Sequence, residues 1–396
     1  MSSDSTQSKK IGGEYGEIRA NIDLVRLNAY IAESVPAVQG PVSVKQFKFG
    51  QSNPTYFLTD TRNTRFVLRK KPAGKLVSQT AHQVEREFAV LYAIHTHNIK
   101  PSTLSEQRVP VPEPIVLCED SSVIGTPFYI MEFLEGRIFT DARMPEVSQK
   151  DRRECFLSAV RSLAALSSLD PVAIGLGTFG PTTPYYPRQI KSLTRVSLAQ
   201  AAVTDIDTGK PTGKIPGWDA LIQWYQSHLP DESKFGTRIV HGDYKLDNLI
   251  FHPTENRVIG ILDWELCTLG NPLADLANLT QPWAIEPRDV QVPAASAFRA
   301  FKNNPAEAPA LLEDLEREYC RVVKQPYPMP EMVFVRSWML LRLAIIAQGI
   351  AARYARRQAS SERAFLYVQL FPIIGGLARK VLESEGHQLV LESSKL

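Results

Sequence analysis

The middle of the chain reads His241-Gly242-Asp243-Tyr244-Lys245-Leu246-Asp247-Asn248 and then Ile261-Leu262-Asp263-Trp264-Glu265. An Asp is followed five residues later by an Asn, and a second Asp stands fifteen residues after that Asn. Phosphoryl transfer from ATP needs a carboxylate that orients the attacking hydroxyl, with an amide and a second carboxylate that hold magnesium on the phosphates. A lone His-Gly-Asp would mean little. The combined pattern, flanked by apolar strand-like residues, predicts ATP- and Mg²⁺-dependent phosphoryl transfer.

Each polar position of the two segments has a predicted role. Asp243 is expected to align the substrate hydroxyl and take its proton late, because the transition state is loose and positioning matters more than basicity. Lys245 could sit over the transferring phosphoryl group. Asn248 and Asp263 offer the hard oxygen donors that Mg²⁺ prefers. His241 is interpreted as a structural residue that bonds the backbone of its loop.

Two further groups each allow two interpretations. Asp275 either holds the catalytic loop through backbone amides or caps a helix. Arg353, Arg356 and Arg357 cluster at the end of a predicted helix. They could bind an anionic substrate, such as the phosphates of coenzyme A. The alternative, which is the commoner reason for arginines in a last turn, is favourable placement of cations against the helix dipole.

The composition is that of an ordinary soluble globular protein with room for two lobes: 396 residues, 44% apolar and 22% charged. The net charge of +3 is too small to indicate nucleic-acid binding. The four cysteines are scattered and form no Cys-x-x-Cys pair, so neither zinc nor a disulfide framework is indicated. No apolar run approaches the roughly 20 residues of a membrane span. Residues 1–10 lack the apolar core of a signal peptide.

The last three residues carry a targeting signal. The chain closes with Ser394-Lys395-Leu396, an address that the peroxisomal import receptor reads at a free C-terminus. The polar residues before it would leave it accessible. The sequence therefore predicts binding to that receptor and location in the peroxisome.

The order of elements predicts an α+β fold with two lobes. Residues 1–20 are polar and aperiodic and are predicted to be a disordered tail. Residues 21–133 are predicted to form a small antiparallel β-rich N-lobe that binds nucleotide, and residues 134–390 a large, mainly helical C-lobe with the catalytic loop. Residues 391–396 form the tail with the Ser-Lys-Leu signal. The active site is expected in the cleft between the lobes.

Hydrophobic periodicity places the elements within each lobe. In the first lobe it predicts strands within 42–49, 56–68 and 128–131, and helices over 23–32 and 80–94, the latter with a Thr80/Gln83 capping box. In the second lobe it predicts helices over 153–169, 217–228 and 338–357, and long loops with one short helix over 175–215. The core stripe of the helix over 338–357 is predicted to be Met339, Leu340, Leu343, Ile346 and Ile350.

Two stretches of the first lobe are predicted to contact the nucleotide. In the loop Gly50-Gln51-Ser52-Asn53, a glycine and small polar residues would let backbone N–H groups approach phosphate oxygens. The same residues suit an ordinary hairpin turn, and only the downstream motif favours the phosphate role. Met131-Glu132-Phe133 ends the last strand of this lobe, where a hinge would offer backbone groups to adenine.

A cation on the strand that ends near residue 70 should reach the nucleotide phosphates. Side chains alternate across a strand, so Arg69 and Lys70 lie on opposite faces and either could do so. Arg69 is favoured because Val67, on its face, would cap the adenine. A carboxylate of the next helix should hold this cation. Glu87 lies about 45° from the centre of the buried face and Glu85 about 115°, so Glu87 is the predicted partner and Glu85 is expected to face water.

These residues resemble the aminoglycoside phosphotransferase and choline kinase superfamily, which has the two-lobed protein-kinase-like fold, over roughly residues 25–385. The segments 49–56, 67–72, 81–87 and 263–277 look like one branch in particular, the kinase domain fused to acyl-CoA dehydrogenases in animals. That branch is associated with phosphorylation of 4-hydroxyacyl-CoAs. Carried over to matching positions, the resemblance implies a catalytic Asp, two metal ligands and a phosphate-side ion pair: Asp243, Asn248 with Asp263, and Arg69 with Glu87.

The chain departs from this resemblance at two points. Arg69 stands where many superfamily members have Lys, although choline kinases resemble the Arg form. No acyl-CoA dehydrogenase domain follows the kinase segment, so a partner dehydrogenase is expected to act in trans. The substrate class and the predicted peroxisomal address agree, because peroxisomes degrade acyl-CoAs and a hydroxylated chain stalls β-oxidation.

Two other functions remain open from the sequence. One is a kinase for an amino alcohol, a sugar or an aminoglycoside-like compound, for which an acidic substrate cleft would be expected, whereas a basic cleft would favour an acyl-CoA. The other is a nucleotide-binding pseudokinase scaffold, which has no need for Asp243, Asn248 and Asp263 together. A protein kinase is disfavoured because Asp-Trp-Glu replaces Asp-Phe-Gly at residue 263.

Overall fold

The computed structural model describes residues 15–16, 22–47, 53–72, 83–295, 298–359, 361 and 363–389. The chain divides into two compact units. The first comprises Met1–Thr140, Val172–Phe179 and Leu246–Cys267, and the second comprises Asp141–Pro171, Gly180–Lys245 and Thr268–Leu396. Where the sequence predicts a single boundary near residue 133, the chain passes between these units more than once.

The strands are short and pair antiparallel throughout. Their bounds are β1 (Tyr15–Gly16), β2 (Ser43–Phe47), β3 (Thr55–Thr59), β4 (Arg65–Lys70), β5 (Pro114–Cys118), β6 (Phe128–Glu132), β7 (Arg238–Val240), β8 (Leu249–Phe251), β9 (Val258–Ile261) and β10 (Thr268–Gly270). In the described part of the first unit, β1 to β6 form one sheet in the order β1-β2-β3-β4-β6-β5. A β8–β9 ribbon belongs to the same unit, and a β7–β10 ribbon lies in the second.

The helices are concentrated in the second unit. Their bounds are α1 (Leu24–Ser34), α2 (Val84–Asn98), α3 (Ser121–Ile124), α4 (Gln149–Ser168), α5 (Tyr185–Ala201), α6 (Trp218–Ser227), α7 (Leu273–Leu279), α8 (Leu312–Val323), α9 (Met332–Ala355) and α10 (Tyr367–Ser384). The predicted α+β class, with an antiparallel β-rich first part and a mainly helical remainder, is confirmed.

The core of the first unit lies between the sheet and α1. The side chain of Asp23 caps α1, because its Oδ1 accepts the N–H groups of Val25 and Arg26 at 3.1 and 3.0 Å. The helix then buries Leu27 and Ile31 against one face of the sheet. The sheet contributes residues at every second position, as the pleat requires: Tyr56, Leu58, Phe66, Leu68, Phe128 and Ile130.

Two details of the first unit differ from the sequence prediction. The strand β5, which pairs with β6 at the sheet edge, is not predicted because it is one short apolar run between prolines and polar residues. The helix α2 begins at Val84 rather than near Thr80, and Gln83 precedes it without a side-chain capping bond. Thr80 itself, the other half of the predicted capping box, lies outside the described residues.

The prediction of long loops with one short helix over 175–215 is only partly right, because the helix in that stretch, α5, has 17 residues and is not short. Its cap comes from a distant residue: the carboxylate of Glu232 accepts the N–H groups of Tyr185 and Tyr186 at 2.7 and 2.9 Å. Pro187 falls in the first turn, where a missing N–H costs nothing. A cap supplied across the fold leaves no local sequence signal.

The long helix α9 begins six residues before the predicted start at residue 338. Its predicted core stripe is partly wrong. Met339 and Leu340 are buried, but Leu343 and Ile350 are only partly so, and Ile346 is 44% exposed. The helix packs against α5, α7 and α10, so its buried surface extends around most of its circumference and no single stripe describes it.

Two helices are long and apolar enough to cross a membrane by length and composition alone, at Met332–Ala355 and Ala364–Ser384, although no uninterrupted apolar run reaches that length. In the first, 67% of the most apolar window is buried inside the protein, as in a core helix of a soluble protein. In the second the share is 39%. Such helices are weak evidence for a membrane span.

Candidate active site

The last two residues of β4, Arg69 and Lys70, are cations whose side chains lie on opposite faces of the sheet, as alternation requires. The Nζ of Lys70 is buried on the α3 side and donates to the carbonyl oxygen of Ile124 at 3.0 Å. Burial lowers the pKa of Lys70. Arg69 lies on the other face, towards α2. The sequence leaves open whether Arg69 or Lys70 reaches the nucleotide phosphates. Arg69 is the one that lies on the same face as Val67.

Glu87 of α2 is 1% exposed and has three partners among the described residues of the first unit. The Nε of Arg69 lies 3.0 Å from its Oε2, as an ion pair. The Nδ2 of Asn53 donates to Oε1 at 2.7 Å, and the hydroxyl of Tyr129 donates to Oε2 at 3.0 Å. A buried carboxylate is stable only when it is paired and hydrogen-bonded in this way. The helix geometry thus selects Glu87, not Glu85, as the partner of Arg69.

Glu85 does not simply face water. Its Oε1 lies 2.5 Å from the Nζ of Lys71, and both side chains are about one quarter exposed (27% and 22%). This second pair lies in the first turn of α2, two residues before Glu87. A partly exposed pair of this kind contributes little to stability.

The electrostatics of the buried pair keep the guanidinium charged. Burial alone would lower the pKa of Arg69, but the negative charges of Glu87 and Asp263 raise it above its usual range. Burial raises the pKa of Glu87 to about 7, although the charge of Arg69 and the hydrogen bond from Tyr129 act in the opposite direction. The first unit therefore holds a permanently charged cation against a carboxylate that titrates near neutrality.

Asp263 is the second carboxylate that Arg69 contacts. The Nη2 of Arg69 donates to Oδ1 of Asp263 at 2.6 Å and lies 3.5 Å from Oε2 of Glu265. Asp263 has left-handed backbone angles, φ 66° and ψ 63°, which are uncommon for any residue except Gly, Asn and Asp. Such conformations concentrate at functional sites, because packing must hold them in place.

The β8–β9 ribbon brings the two predicted magnesium ligands to one end of the first unit. Leu249 pairs with Ile261, and the N–H of Leu262 donates to the carbonyl oxygen of Asn248 at 2.9 Å. Asn248 and Asp263 thus flank the same end of the ribbon. They supply an amide oxygen and a carboxylate, the hard donors that fit Mg²⁺.

No group of three or more His, Cys, Asp or Glu side chains that could hold a metal occurs among the described residues. Mg²⁺ at nucleotide sites is typically bound through one or two carboxylates, with substrate phosphates and water completing its coordination. Asn248 and Asp263 match this incomplete protein ligand set.

The predicted adenine face also lies in the first unit. Val67 is opposite Met131 in the β4–β6 register, and both are buried on the face that carries Arg69. Phe133 packs edge-on against Phe57, with ring centroids 5.0 Å apart. Glu132 is exposed and its carboxylate accepts the N–H of residue 113 at 3.1 Å.

Of the predicted phosphate loop, Gly50, Gln51 and Ser52 lie outside the described residues, and only Asn53 is described. Asn53 is 1% exposed and bonds Glu87, so it supports the buried carboxylate rather than facing a ligand. Tyr129, which donates to Glu87, was not predicted as a site residue. Its signal was present, because Tyr129 lies two residues before Met131 on the same strand face and opposite Arg69.

The second unit contains the predicted catalytic loop, which follows β7. The Nζ of Lys245 lies 3.2 Å from Oδ2 of Asp243, and these side chains are 43% and 30% exposed. His241 is fully buried, and its Nδ1 accepts the N–H of Asp243 at 3.2 Å, in keeping with its structural interpretation. The buried hydroxyl of Tyr244 donates to the carbonyl oxygen of Ala159 on α4. The loop therefore presents Asp243 and Lys245 while its neighbours anchor it.

Asp275 holds this loop and does not cap α7. It is 1% exposed, and its two carboxylate oxygens accept the N–H groups of His241 and Gly242 at 2.7 and 2.9 Å. Pro272 precedes α7 without a side-chain cap, and the first N–H of the helix, that of Leu273, is accepted by Oδ1 of Asn271. Burial raises the pKa of Asp275 to about 7, and its hydrogen bonds from the loop limit the rise.

The arginine cluster at the end of α9 is only partly engaged. Arg357 pairs with Asp205 at 3.0 Å and also with Asp207. Arg353 and Arg356 are exposed. These contacts fit a surface cluster that stabilises the helix end. No contact among the described residues supports the other interpretation, an anionic substrate site.

Comparison with known proteins agrees with this geometry. The phosphotransferase enzyme family matches residues 43–320. The chain belongs to this family, and the site residues of both units fall inside the matched range except for the end of α9. The matched range is accordingly a phosphotransferase domain.

Two relatives have names that refer to acyl-CoA dehydrogenases. The chain is 38% identical over 348 residues to the probable acyl-CoA dehydrogenase IBR3 of Arabidopsis thaliana, with 86% of this chain and 40% of that protein aligned. It is 37% identical to acyl-CoA dehydrogenase family member 11 of Rattus norvegicus, with 87% of this chain and 41% of that protein aligned. The chain thus spans about two fifths of the length of these relatives.

Solved structures support the fold. A putative aminoglycoside phosphotransferase from Ralstonia eutropha is 33% identical, with a TM-score of 0.76 over 92% of this chain and 99% of that one. A ternary complex of aminoglycoside phosphotransferase APH(4)-Ia with AMP-PNP and hygromycin B is 14% identical, with a TM-score of 0.53 over 91% of this chain. At that identity the likeness shows the fold alone.

Proposed function

We propose that this phosphotransferase uses MgATP to phosphorylate a hydroxyl of a hydroxyacyl-CoA. The observation that carries the reaction is the set of polar groups arranged around Arg69: a buried Glu87, the Asp263 carboxylate, and Asn248 at the same end of the β8–β9 ribbon. Nucleotide complexes are described for a structural neighbour of the same fold, which supports ATP as the donor. The acyl-CoA substrate class is supported by the names of the relatives.

The residues of the chain have distinct parts in this reaction. Asp243 orients the acceptor hydroxyl, whose oxygen forms a bond to the γ-phosphorus while the bond from that phosphorus to the β–γ bridging oxygen breaks. The hydroxyl proton passes to Asp243, and ADP leaves. Arg69, whose side chain is 12% exposed, supplies positive charge for the nucleotide phosphates from a largely buried position, where fixed charges act most strongly. The more exposed Lys245 is the cation beside Asp243 and is proposed to meet the transferring phosphoryl group. Asn248 and Asp263 would hold Mg²⁺, which neutralises phosphate charge when bound.

Location in the peroxisome is part of the same proposal. Ser394-Lys395-Leu396 lies outside the described residues and is supported by its sequence alone. Expression in cells of the chain fused at its N-terminus to a fluorescent protein tests it. Peroxisomal fluorescence that is lost on deletion of the three residues is expected, and unchanged distribution would contradict it. A separate acyl-CoA dehydrogenase is the proposed consumer of the product.

The decisive experiment is Mg²⁺-dependent ADP production by the purified protein with a panel of acceptors. The panel contains 3-, 4- and 5-hydroxyacyl-CoAs, choline, a hexose and an aminoglycoside, and Asp243→Asn is the inactive control. Turnover confined to a hydroxyacyl-CoA is expected. Turnover confined to choline, the hexose or the aminoglycoside would replace the acyl-CoA substrate. Silence across the panel with ATP still bound would instead support the scaffold function.

A further inference from the structure

The second unit contains a cavity of about 320 Å³ that the phosphoryl-transfer mechanism does not use. Its wall comes from four parts of the chain: the turn 281–284 after α7, the segment 301–312, the beginning of α9 and the end of α10. No residue of the loop 241–248, all of which the structure describes, lines it. The volume is near the lower end of the range for small-molecule sites, so the cavity suits a ligand smaller than a nucleotide.

The segment that forms most of the wall is irregular but firmly held. Residues 298–311 contain no helix or strand, and irregular segments of this length inside a compact domain are usually functional. The N–H of Phe301 donates to the carbonyl oxygen of Pro282 at 2.7 Å. The indole N–H of Trp283 donates to the carbonyl oxygen of Ala310 at 2.9 Å. These bonds tie the segment to the turn after α7, so the cavity is preformed, as most ligand sites are.

The lining of the cavity is mainly apolar. Leu311 is 57% exposed, and Leu312 and Val333 are half-buried. Trp283 and Phe301 also line it, and their rings pack edge to face with centroids 5.0 Å apart. A ligand with an aliphatic body would cover the leucine and valine side chains that are still in contact with water, which is favourable in proportion to the area removed from water.

Lys302 is a half-buried cation on the same wall. Its Nζ donates at 2.8 Å to the Oγ of Ser384, which also lines the cavity. No carboxylate lies within 4.0 Å of this Nζ among the residues that the structure describes. Lys380 of the same unit, by contrast, is paired with Asp289. An ammonium group has three donors, so Lys302 can donate to a ligand as well as to Ser384.

Two other charged residues of the wall do not cancel this positive charge. Arg336 is paired with Glu316, and both side chains are largely buried, so that pair is neutral as a whole. Glu385 lines the cavity but is exposed to water, which screens its charge. The half-buried ammonium of Lys302 is screened less. The charge of the wall therefore favours an anionic group over a cationic one.

We propose that this cavity binds a small aliphatic carboxylic acid. Its chain would lie against Leu311, Leu312 and Val333, and its carboxylate would accept a hydrogen bond from the Nζ of Lys302. The chain supplies most of the affinity, and the charged hydrogen bond orients the molecule. The acid would be a second ligand of the protein, and the inference does not depend on which acceptor is phosphorylated.

The test uses three probes with the same alkyl chain length and different head groups: octanoate, octanol and octylamine. Each is titrated by calorimetry into the wild-type protein, Lys302→Gln, Val333→Phe and Lys380→Gln. Val333→Phe fills the cavity, and Leu312→Phe does so by a second route if Val333→Phe does not fold. Lys380→Gln is the matched control, because it removes a lysine of the same unit that does not line the cavity. Urea unfolding verifies that each variant is folded.

The wild type is expected to bind octanoate more tightly than octanol, and octylamine more weakly than octanol. Lys302→Gln should weaken octanoate binding about 10- to 100-fold, as for loss of a hydrogen bond to a charged group, and should change octanol binding less than about twofold. Val333→Phe should abolish binding of both probes. Lys380→Gln should bind all three probes like the wild type.

Four results would overturn the proposal. Absence of octanoate binding to the wild type would mean that the cavity is not a site for such an acid. Octanoate binding that survives in a folded cavity-filling variant would place the ligand elsewhere on the protein. Equal losses of octanoate and octanol in Lys302→Gln, or octylamine binding as tight as octanoate binding, would show that Lys302 does not recognise the carboxylate.

Discussion

Arg69 Nη2 lies 2.6 Å from Oδ1 of Asp263, although the two residues are 194 positions apart in the chain. The cation proposed for the phosphates thus bonds the carboxylate proposed for magnesium. The same guanidinium contacts Glu87 through Nε. One side chain therefore neutralises two carboxylates of the first unit, and its removal leaves both without their main counter-charge.

Replacement of Arg69 should destabilise the protein as well as inactivate it. Arg69→Met is expected to lower the free energy of unfolding by about 3–5 kcal/mol, since it leaves buried carboxylate charge uncompensated. Equilibrium unfolding in urea measures this. The matched control is Lys71→Met, which breaks the partly exposed pair with Glu85 and should cost less than about 1 kcal/mol. Similar losses for both variants would show that the pair with Glu87 has no special energetic weight.

Asp243→Asn should abolish catalysis without unfolding the protein. The amide cannot take the hydroxyl proton, and a fall in kcat of about 10²- to 10⁴-fold is expected. Asp243 is 30% exposed, so its substitution should not disturb the core. Asp247→Asn, which alters an exposed carboxylate four residues on, is the control and should retain activity. An active Asp243→Asn enzyme with unchanged nucleotide binding would contradict the mechanism.

Asp275 predicts a pH dependence of activity. Its pKa is raised to about 7, so its carboxylate is ionised above that pH and accepts two N–H groups of the loop, whereas below it one oxygen carries a proton and no longer accepts well. Asp275→Asn imitates the protonated form and should lower kcat about 10- to 100-fold at pH 8 through misplacement of the loop. The ratio of wild-type to variant kcat should fall towards one as the pH drops from 8 to 6.

The effect of Asp275 on folding stability depends on pH in the opposite direction to its effect on activity. A carboxyl whose folded pKa lies above its usual 3.8 binds its proton more tightly in the folded state. The wild type should therefore lose stability relative to Asp275→Asn as the pH rises from about 4 to about 7. Urea unfolding across that interval measures the difference. A constant difference would mean that the folded-state pKa is not raised.

Replacement by alanine should affect the stability of the protein differently at two adjacent glycines of α10. A Cβ at Gly375 would overlap Cγ2 of Ile215, whereas a Cβ at Gly376 has nothing within 4 Å. Both variants gain the same helix propensity, about 1 kcal/mol. Gly376→Ala should therefore be stabilised by that amount, and Gly375→Ala should be less stable than Gly376→Ala by about 1–3 kcal/mol because of overpacking. Thermal and urea unfolding of the two variants would test this, and equal stabilities would contradict the close packing of Ile215 on α10.

Local periodicity predicted the first unit well where one face of an element is buried. The alternation on β4 separates Arg69 from Lys70, and the helical angle of α2 selects Glu87 over Glu85. Each of these inferences uses geometry that repeats within a few residues. The same reasoning failed for α9, because a helix packed on several sides has no single apolar stripe and Ile346 is left exposed.

Elements whose support comes from elsewhere in the chain were missed. The helix α5 is capped by Glu232, which is 47 residues after its first residue, and Gly, Pro and Thr around it indicated loops. Asn53 suited an ordinary hairpin turn, and only the downstream motif favoured a phosphate loop, yet it bonds Glu87, 34 residues further along the chain. No window of sequence contains both members of such a pair.

The sequence by itself determined the family chemistry, because the order and spacing of Asp243, Asn248 and Asp263 follow from what phosphoryl transfer requires of side chains. It also determined which face of β4 and of α2 carries the charged side chains. The backbone sets a repeat of about two residues in a strand and about 3.6 residues in a helical turn, so the face of a side chain follows from its position. Only the tertiary structure decided that Arg69 bridges Glu87 and Asp263 and that Asp275 holds the loop. Those relationships depend on the packing of segments far apart in the chain, where burial removes water and makes each unpaired charge consequential.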